Sequence, residues 1–358
     1  MHIAVVTKNM KAGGAERVIA QLLHSWSEQG VKCSLICINP EVPFYSIPKS
    51  VNCIDIPDFS SNGDVNKIRK YIRLRHVVRG LHPDVVLSLP EEIGVYAALA
   101  LWGTRIPVVV SERNNPWFMP YKKITRALRR VVYPFVKGLI FQTGNAASFF
   151  SSSQRRKGIV LPNPLDITRL PEFSVCEREK IVVSAGRLET QKNFDLLLEA
   201  FADFYRDHND YSLKIYGEGS LRTALTEHAD RLDLPKGVIL FPGVSDNLLE
   251  EIKCAGMFVL PSDYEGMPNV LIEAMACGIP CISTDCPSGG PAEIINNGQN
   301  GLLVPTGDSE AMASAMRALA DDQVLAKMFS QQYVTTRVRF NADAVCQEWL
   351  DYLKKVSD

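Results

Sequence analysis

Four side chains of this 358-residue chain have the types and spacing to act on a phosphate ester: Glu265 and Glu273, eight apart, and Arg187 and Lys192, five apart. Glu265 lies in a polar loop after the apolar run ending at Pro261, and a helix is expected to start near Pro268 and to close at Gly278 and Pro280. The loop and helix entrance, Gly266, Met267, Pro268 and Asn269, would present free N–H groups and the positive end of a helix dipole, an arrangement that suits phosphate. One to two turns on, Glu273 would flank the same ligand, so a nucleotide sugar would offer hydroxyls to both carboxylates. The two glutamates equally suit an amphipathic helix with Val270, Leu271, Ala274 and Met275 inward, and the two cations equally suit solvated surface.

Strand-length apolar runs must position these groups. Those at Ile3–Thr7, Cys33–Ile38, Val85–Ser88, Val108–Ser111 and Gly138–Phe141 alternate with helical stretches, which predicts a parallel sheet covered on both faces. After the Pro-rich stretch 162–171 the pattern restarts with Ile181–Gly186, Leu213–Gly217, Val238–Phe241, Met257–Pro261, Cys281–Thr284 and Leu302–Pro305. Two Rossmann-like α/β domains follow, at residues 1–165 and 166–341. The first strand leads into Gly13 and Gly14, a glycine pair that lets backbone approach a ligand at a strand's carboxyl end. It fits neither Gly-x-Gly-x-x-Gly nor a Walker loop, and a tight turn alone would also explain it.

Composition narrows the class. Hydrophobic residues make up 46% of the chain, enough for ample cores. No apolar run is long enough to span a bilayer and no leader is evident, so a cytoplasmic protein is expected. Nine scattered cysteines without Cys-x-x-Cys, and six histidines without ligand spacing, predict reduced thiols and no metal site. The net charge of −1 conceals an asymmetry: residues 1–165 carry +12 and the remainder −13. The positive half concentrates in Lys67–His76, with Lys67, Arg69 and Arg73, and in Trp117–Tyr133, with Lys122 and Arg126. Basic residues among apolar and aromatic neighbours at helical spacing suit an anionic membrane surface, although the apolar positions also suit a core. No nucleic-acid motif accompanies the charge.

The Glu-x7-Glu stretch, with Gly186, Arg187 and Lys192, resembles the donor-binding signature of the glycosyl transferases of group 1, a large retaining family. The resemblance covers nearly the whole chain. It implies a GT-B fold, two facing Rossmann-like domains with an interdomain cleft, and a final helix, about 342–355, that crosses back to the first domain. It implies Glu265 on the donor sugar, Glu273 on the ribose, Arg187 and Lys192 on the departing diphosphate, Gly13 and Gly14 over that diphosphate, and Gly217 and Val244 in the base pocket. The chain has no Asp-x-Asp, in keeping with the family's metal-independent chemistry, which needs no cofactor beyond the nucleotide sugar. Relatives often carry His where Arg113 follows Glu112; an arginine cannot serve as a base at neutral pH, so Glu112, Arg113 and Asn114 are read as an acceptor site suited to a phosphate.

The resulting expectation is a retaining hexosyltransferase that uses a UDP-linked sugar. Its acceptor would be a membrane-borne glycan, lipid-linked through undecaprenyl diphosphate, and the protein would sit peripherally on the inner face of the membrane. A sugar-nucleotide epimerase of the same fold and a catalytically silent membrane scaffold are the alternatives. The Cys286–Glu293 loop is expected to help select the donor sugar.

Overall fold

Alternation within each apolar run dictates the layering. Ile3 and Val5 enter one apolar cluster and Ala4 and Val6 another, so the strand that carries them needs cover on both faces, as parallel strands with crossover helices provide. The structure is a computed structural model that describes residues 1–56, 64–172 and 177–358, the side chains of 64–67 excepted. It contains two compact units, Met1–Pro164 with Asn341–Asp358, and Leu165–Phe340.

In the first unit, β1 (His2–Thr7), β2 (Lys32–Cys37), β3 (Asn52–Asp55), β4 (Val85–Ser88), β5 (Val108–Ser111), β6 (Gly138–Phe141) and β7 (Gly158–Val160) form one sheet. Its order is β3-β2-β1-β4-β5-β6-β7 and every pairing is parallel. In the second unit, β8 (Glu179–Ala185), β9 (Ser212–Tyr216), β10 (Ile239–Gly243), β11 (Ala255–Leu260), β12 (Cys281–Thr284) and β13 (Leu302–Val304) follow the order β10-β9-β8-β11-β12-β13. These pairings are parallel as well. The order reverses between β1 and β4 and again between β8 and β11, and open α/β sheets bind ligands beyond the carboxyl ends of their strands at such reversals. Each unit is thus α/β and doubly wound.

The last helix, Ala342–Ser357, belongs to the first unit. Large aromatic residues fix it there, each with its polar atom matched, as burial requires. The Trp26 indole donates to the Cys346 carbonyl at 3.0 Å and the Trp349 indole to the Pro162 carbonyl at 3.3 Å. The Tyr352 hydroxyl donates to the Lys157 carbonyl at 2.5 Å and accepts from the Leu139 amide at 3.0 Å.

Several local features differ from the sequence-based expectation. Strands β3 and β7 carry mostly exposed or half-exposed residues, so no apolar run announces them; each sits at a sheet edge. Pro268 is the N-cap of helix Asn269–Ala276, not a residue of its first turn. Among the described residues seven cysteines are free and Cys254 is disulfide-bonded, which corrects the expectation of reduced thiols throughout. Among the described residues no helix is long and apolar enough to cross a membrane.

Candidate active site

In the second unit the loop after β11 and the turn after β8 are stitched together. Lys192 Nζ lies 2.5 Å from Glu265 Oε1, with the two side chains only 13% and 8% exposed. The Ser262 hydroxyl donates to the same carboxylate oxygen at 2.7 Å. The Gln191 amide donates to the Tyr264 carbonyl at 2.8 Å, the Asp263 amide to the Gln191 carbonyl at 2.9 Å, and Asn193 Nδ2 to Asp263 Oδ1 at 2.7 Å. Asn193 adopts a left-handed conformation and caps helix Phe194–Tyr205, so one residue ends the Lys192 turn, starts a helix and grips the Glu265 loop. Glu273 is also buried, in the second turn of helix Asn269–Ala276.

Glycines permit the close approach of these turns. The Lys192 stem lies across Gly186, where a Cβ would come 3.0 Å from Lys192 Cε. Gly217 holds a φ of 128°, and a Cβ there would overlap the Gly186 carbonyl oxygen. The Gly186 amide donates to the Tyr216 carbonyl and the Gly217 amide to the Gly243 carbonyl, which aligns the ends of β8, β9 and β10. Gly290 packs so tightly on Gly266 that a Cβ would overlap the Gly266 carbonyl oxygen, while the Ser288 hydroxyl donates to the Glu265 carbonyl. The Cys286–Glu293 loop therefore rests directly on the residues that hold Glu265. The Arg187 side chain is exposed, its carbonyl accepting from the Glu189 amide at 2.8 Å, and Val244 is exposed at the end of β10. Gly266, Met267 and Pro268 are buried and Asn269 is half-buried at the helix entrance.

In the first unit the carboxyl ends of β4, β5 and β6 and the turn after β7 meet in a buried polar cluster. The Arg113 guanidinium donates through Nη2 to Asn163 Oδ1, which also accepts from the Gln142 amide at 3.0 Å. Its Nε and Nη1 are buried without a partner, as are Asn115 Nδ2 and Gln142 Oε1. Burial pulls Arg113 down to about 10, opposed by Glu91 and Glu16. The Glu91 carboxylate accepts from the Arg113 backbone amide at 3.2 Å, and burial raises its pKa. Glu112 lies beneath this cluster: the Tyr133 hydroxyl donates to Oε1 at 2.5 Å and Arg129 Nη1 to Oε2 at 3.2 Å. Burial pushes the Glu112 carboxyl up to about 7, with Arg129 opposing and Glu91 adding. Both its oxygens are engaged inside the fold, so Glu112 shapes the loop from below.

The remaining candidates spread over the surface of this unit. Asn114 is half-buried, and its side-chain oxygen accepts from the Asn115 amide at 2.7 Å. Arg69 and Arg73 are exposed on helix Asp64–Leu81, beside exposed Ile68 and Ile72, and the Lys67 side chain lies outside the described ones. Lys122 is exposed and lines a cavity of about 310 Å³ with Lys8, Asn39, Tyr71, Glu92 and Tyr96. Arg126 donates to the Phe118 carbonyl at 2.7 Å. Gly13 accepts at its carbonyl from the Tyr45 hydroxyl at 3.1 Å, and Gly14 opens helix Gly14–Glu28. Sequence reasoning did not single out Ser262, Gln191, Ser288, Gly290, Glu91, Gln142 or Asn163. Ser288 and Gly290 fall in the Cys286–Glu293 loop without having been named in it, and the others are common residues that only a position near a strand's carboxyl end marks.

Two family models match the chain: glycosyl transferases group 1 over residues 168–333, and glycosyltransferase family 4 over residues 12–169. A Campylobacter jejuni protein is 26% identical across 100% of this chain and 99% of its own length. It is a GalNAc-alpha-(1->4)-GalNAc-alpha-(1->3)-diNAcBac-PP-undecaprenol alpha-1,4-N-acetyl-D-galactosaminyltransferase. A second protein of that organism, an N-acetylgalactosamine-N,N'-diacetylbacillosaminyl-diphospho-undecaprenol 4-alpha-N-acetylgalactosaminyltransferase, is 27% identical over 98% of this chain and 99% of its own. Among solved structures, Anabaena HepE in complex with UDP superposes with a TM-score of 0.82 at 17% identity, over 99% of this chain and 100% of that one. The lipopolysaccharide outer core galactosyltransferase WaaB superposes with a TM-score of 0.79 at 18% identity, over 99% of each chain. With matched models on both halves, and with Glu265 and Lys192 paired beyond the carboxyl ends of β11 and β8, the chain belongs to the group 1 glycosyltransferases of GT-B fold.

Proposed function

We propose that this glycosyltransferase transfers a hexose or N-acetylhexosamine from a UDP-linked sugar, with retention and without a metal, to a membrane-borne lipid-linked glycan. The observation that carries the reading is the Glu265 carboxylate, buried yet ionically held by Lys192, with Glu273 buried in the second turn of the helix that follows. In this reading Glu265 binds the donor sugar and steadies positive charge at its anomeric carbon. Glu273 holds the ribose, and the helix entrance Gly266–Asn269 with Gly186 and Gly217 takes the diphosphate. Gly13 and Gly14 also serve the diphosphate, and Val244 borders the base.

The bond between the anomeric carbon and the β-phosphate oxygen breaks as the acceptor oxygen bonds the same face. The acceptor proton passes to the leaving phosphate, so no side chain needs to act as base. Arg187 and Lys192 stabilise the charge that grows on the diphosphate, the type of interaction that lowers a barrier because it strengthens in the transition state. The relatives that act on diphospho-undecaprenol sugars support a lipid-linked acceptor, and the UDP bound in the HepE structure supports the donor. Arg113 and Asn114 then serve the acceptor, while Arg69, Arg73, Lys122 and Arg126 face the anionic inner leaflet from the cytoplasm.

UDP release from a panel of UDP-sugars, in EDTA and with or without extracted lipid-linked oligosaccharide, tests the proposal. Lipid-dependent release with one sugar, lost in Glu265→Ala, is the expected outcome. Release of an altered free sugar nucleotide without lipid would replace it with epimerisation, and no turnover of any donor would replace it with a scaffold.

A further inference from the structure

Helix Lys123–Val132 places Lys123, Arg126, Arg129 and Arg130 three and four residues apart and contains no acidic residue. Like charges at that spacing repel, so the cluster calls for an anion. Arg129 is occupied: it holds Glu112 and the Met119 and Pro116 carbonyls, and its Nε is buried without a partner. Lys123 and Arg130 are exposed and pair with no described carboxylate. These four cations line a cavity of about 280 Å³ whose walls are Trp117 and Phe149, met edge to face with centroids 5.3 Å apart. Trp117 itself, and Phe118, Tyr121 and Ile124, which do not line the cavity, expose 42 to 70% of their surface.

A site with cations inside and apolar side chains around it fits a ligand with an anionic head and a hydrocarbon tail. The geometry points to a lipid-phosphate pocket: the cavity takes the phosphate of a membrane lipid while Phe118, Tyr121 and Ile124 enter the interface. Resting on the proposed membrane-borne acceptor, this names the part of the lipid that the protein grips. A polyprenyl diphosphate and an ordinary anionic phospholipid share that chemistry, and the test separates them.

Full-length protein is co-sedimented with phosphatidylcholine vesicles, with the same vesicles containing a small fraction of polyprenyl diphosphate, and with phosphatidylglycerol vesicles of matched charge. The expected result is tight binding to phosphate-bearing vesicles that Lys123→Gln with Arg130→Gln weakens roughly thirtyfold. The urea midpoint of the first unit, read by the fluorescence of the tryptophans it holds, should stay unchanged in that variant and reports its folding. Preference for polyprenyl diphosphate at equal charge assigns the pocket to the acceptor lipid, and equal binding assigns it to bulk phospholipid. Equal binding of wild type and variant to every anionic vesicle overturns the pocket, as does wild-type binding no tighter than to phosphatidylcholine. Sugar transfer to detergent-dispersed acceptor would persist if only the pocket fails, and would vanish if the transferase reading fails.

Discussion

Replacing Lys192 with Met removes the charge and keeps most of the stem that crosses Gly186. Glu265 would be left 6% exposed, with the Ser262 hydroxyl at 2.7 Å and the Gln191 amide only at 3.5 Å. A charge buried that deeply without its counter-ion typically costs about 3–5 kcal/mol; the residual exposure of both side chains places this pair near the lower end, about 3 kcal/mol. Glu265→Gln in the same chain removes the stranded charge, so the double variant should recover roughly 2 kcal/mol of that loss. All four tryptophans, Trp26, Trp102, Trp117 and Trp349, lie in the first unit, so tryptophan fluorescence would miss this change. Hydrogen exchange of the β11 and β12 amides reads the second unit directly. Turnover should follow a different pattern: each single variant loses about 10²- to 10³-fold in kcat, and the double loses little more, because the two groups act as a unit. Additive stability losses, or a Lys192→Met enzyme within tenfold of wild-type kcat, would refute the placement of this pair at the reaction centre.

Gly290→Ala sets a Cβ into the Gly266 carbonyl. Overpacking of this kind costs about 1–3 kcal/mol, and displacement of the Glu265 loop should raise the donor KM at least several-fold in steady-state kinetics. Glu112 makes stability pH-dependent. Its pKa rises from 4.5 to about 7 on folding, so the folded chain keeps a proton that the unfolded chain has released. The stabilising contribution is complete below about pH 4.5 and lost as pH rises through 7, a change on the order of 3 kcal/mol. Urea midpoints of the first unit, read by fluorescence at pH 5 and pH 8, should converge in Glu112→Gln, and an unchanged gap would sink this assignment. Trp349→Ala empties a fully buried site between the last helix and the first sheet; a loss of about 3–5 kcal/mol is expected from the same unfolding curves, with UDP binding by the second unit retained.

Legibility followed local signal. The central strands could be read because both faces are buried, which leaves continuous apolar runs such as Val85–Ser88 and Val108–Ser111, and the helix entrance at Pro268 because proline and glycine punctuate it. Strands β3 and β7 gave no such signal, since an edge strand shows solvent a face and so needs no apolar run. Glu265, Glu273, Arg187 and Lys192 were legible as a set because their spacing repeats a family pattern, whereas nothing in the sequence marks Ser262 or Gln191 as supports of Glu265.

By itself, then, the sequence determined two α/β units of parallel strands, the residues that could meet a phosphate and the charge split between halves, because each is written in local order or composition. Tertiary structure alone decided the partners: that Lys192 neutralises Glu265 across 73 positions of chain, that Glu112 is locked between Tyr133 and Arg129, and that Arg113 is buried with two unpaired guanidinium nitrogens. The physical reason is that a side chain's charge state and reach depend on what excludes water around it, and distant strands supply that environment only when the sheet assembles.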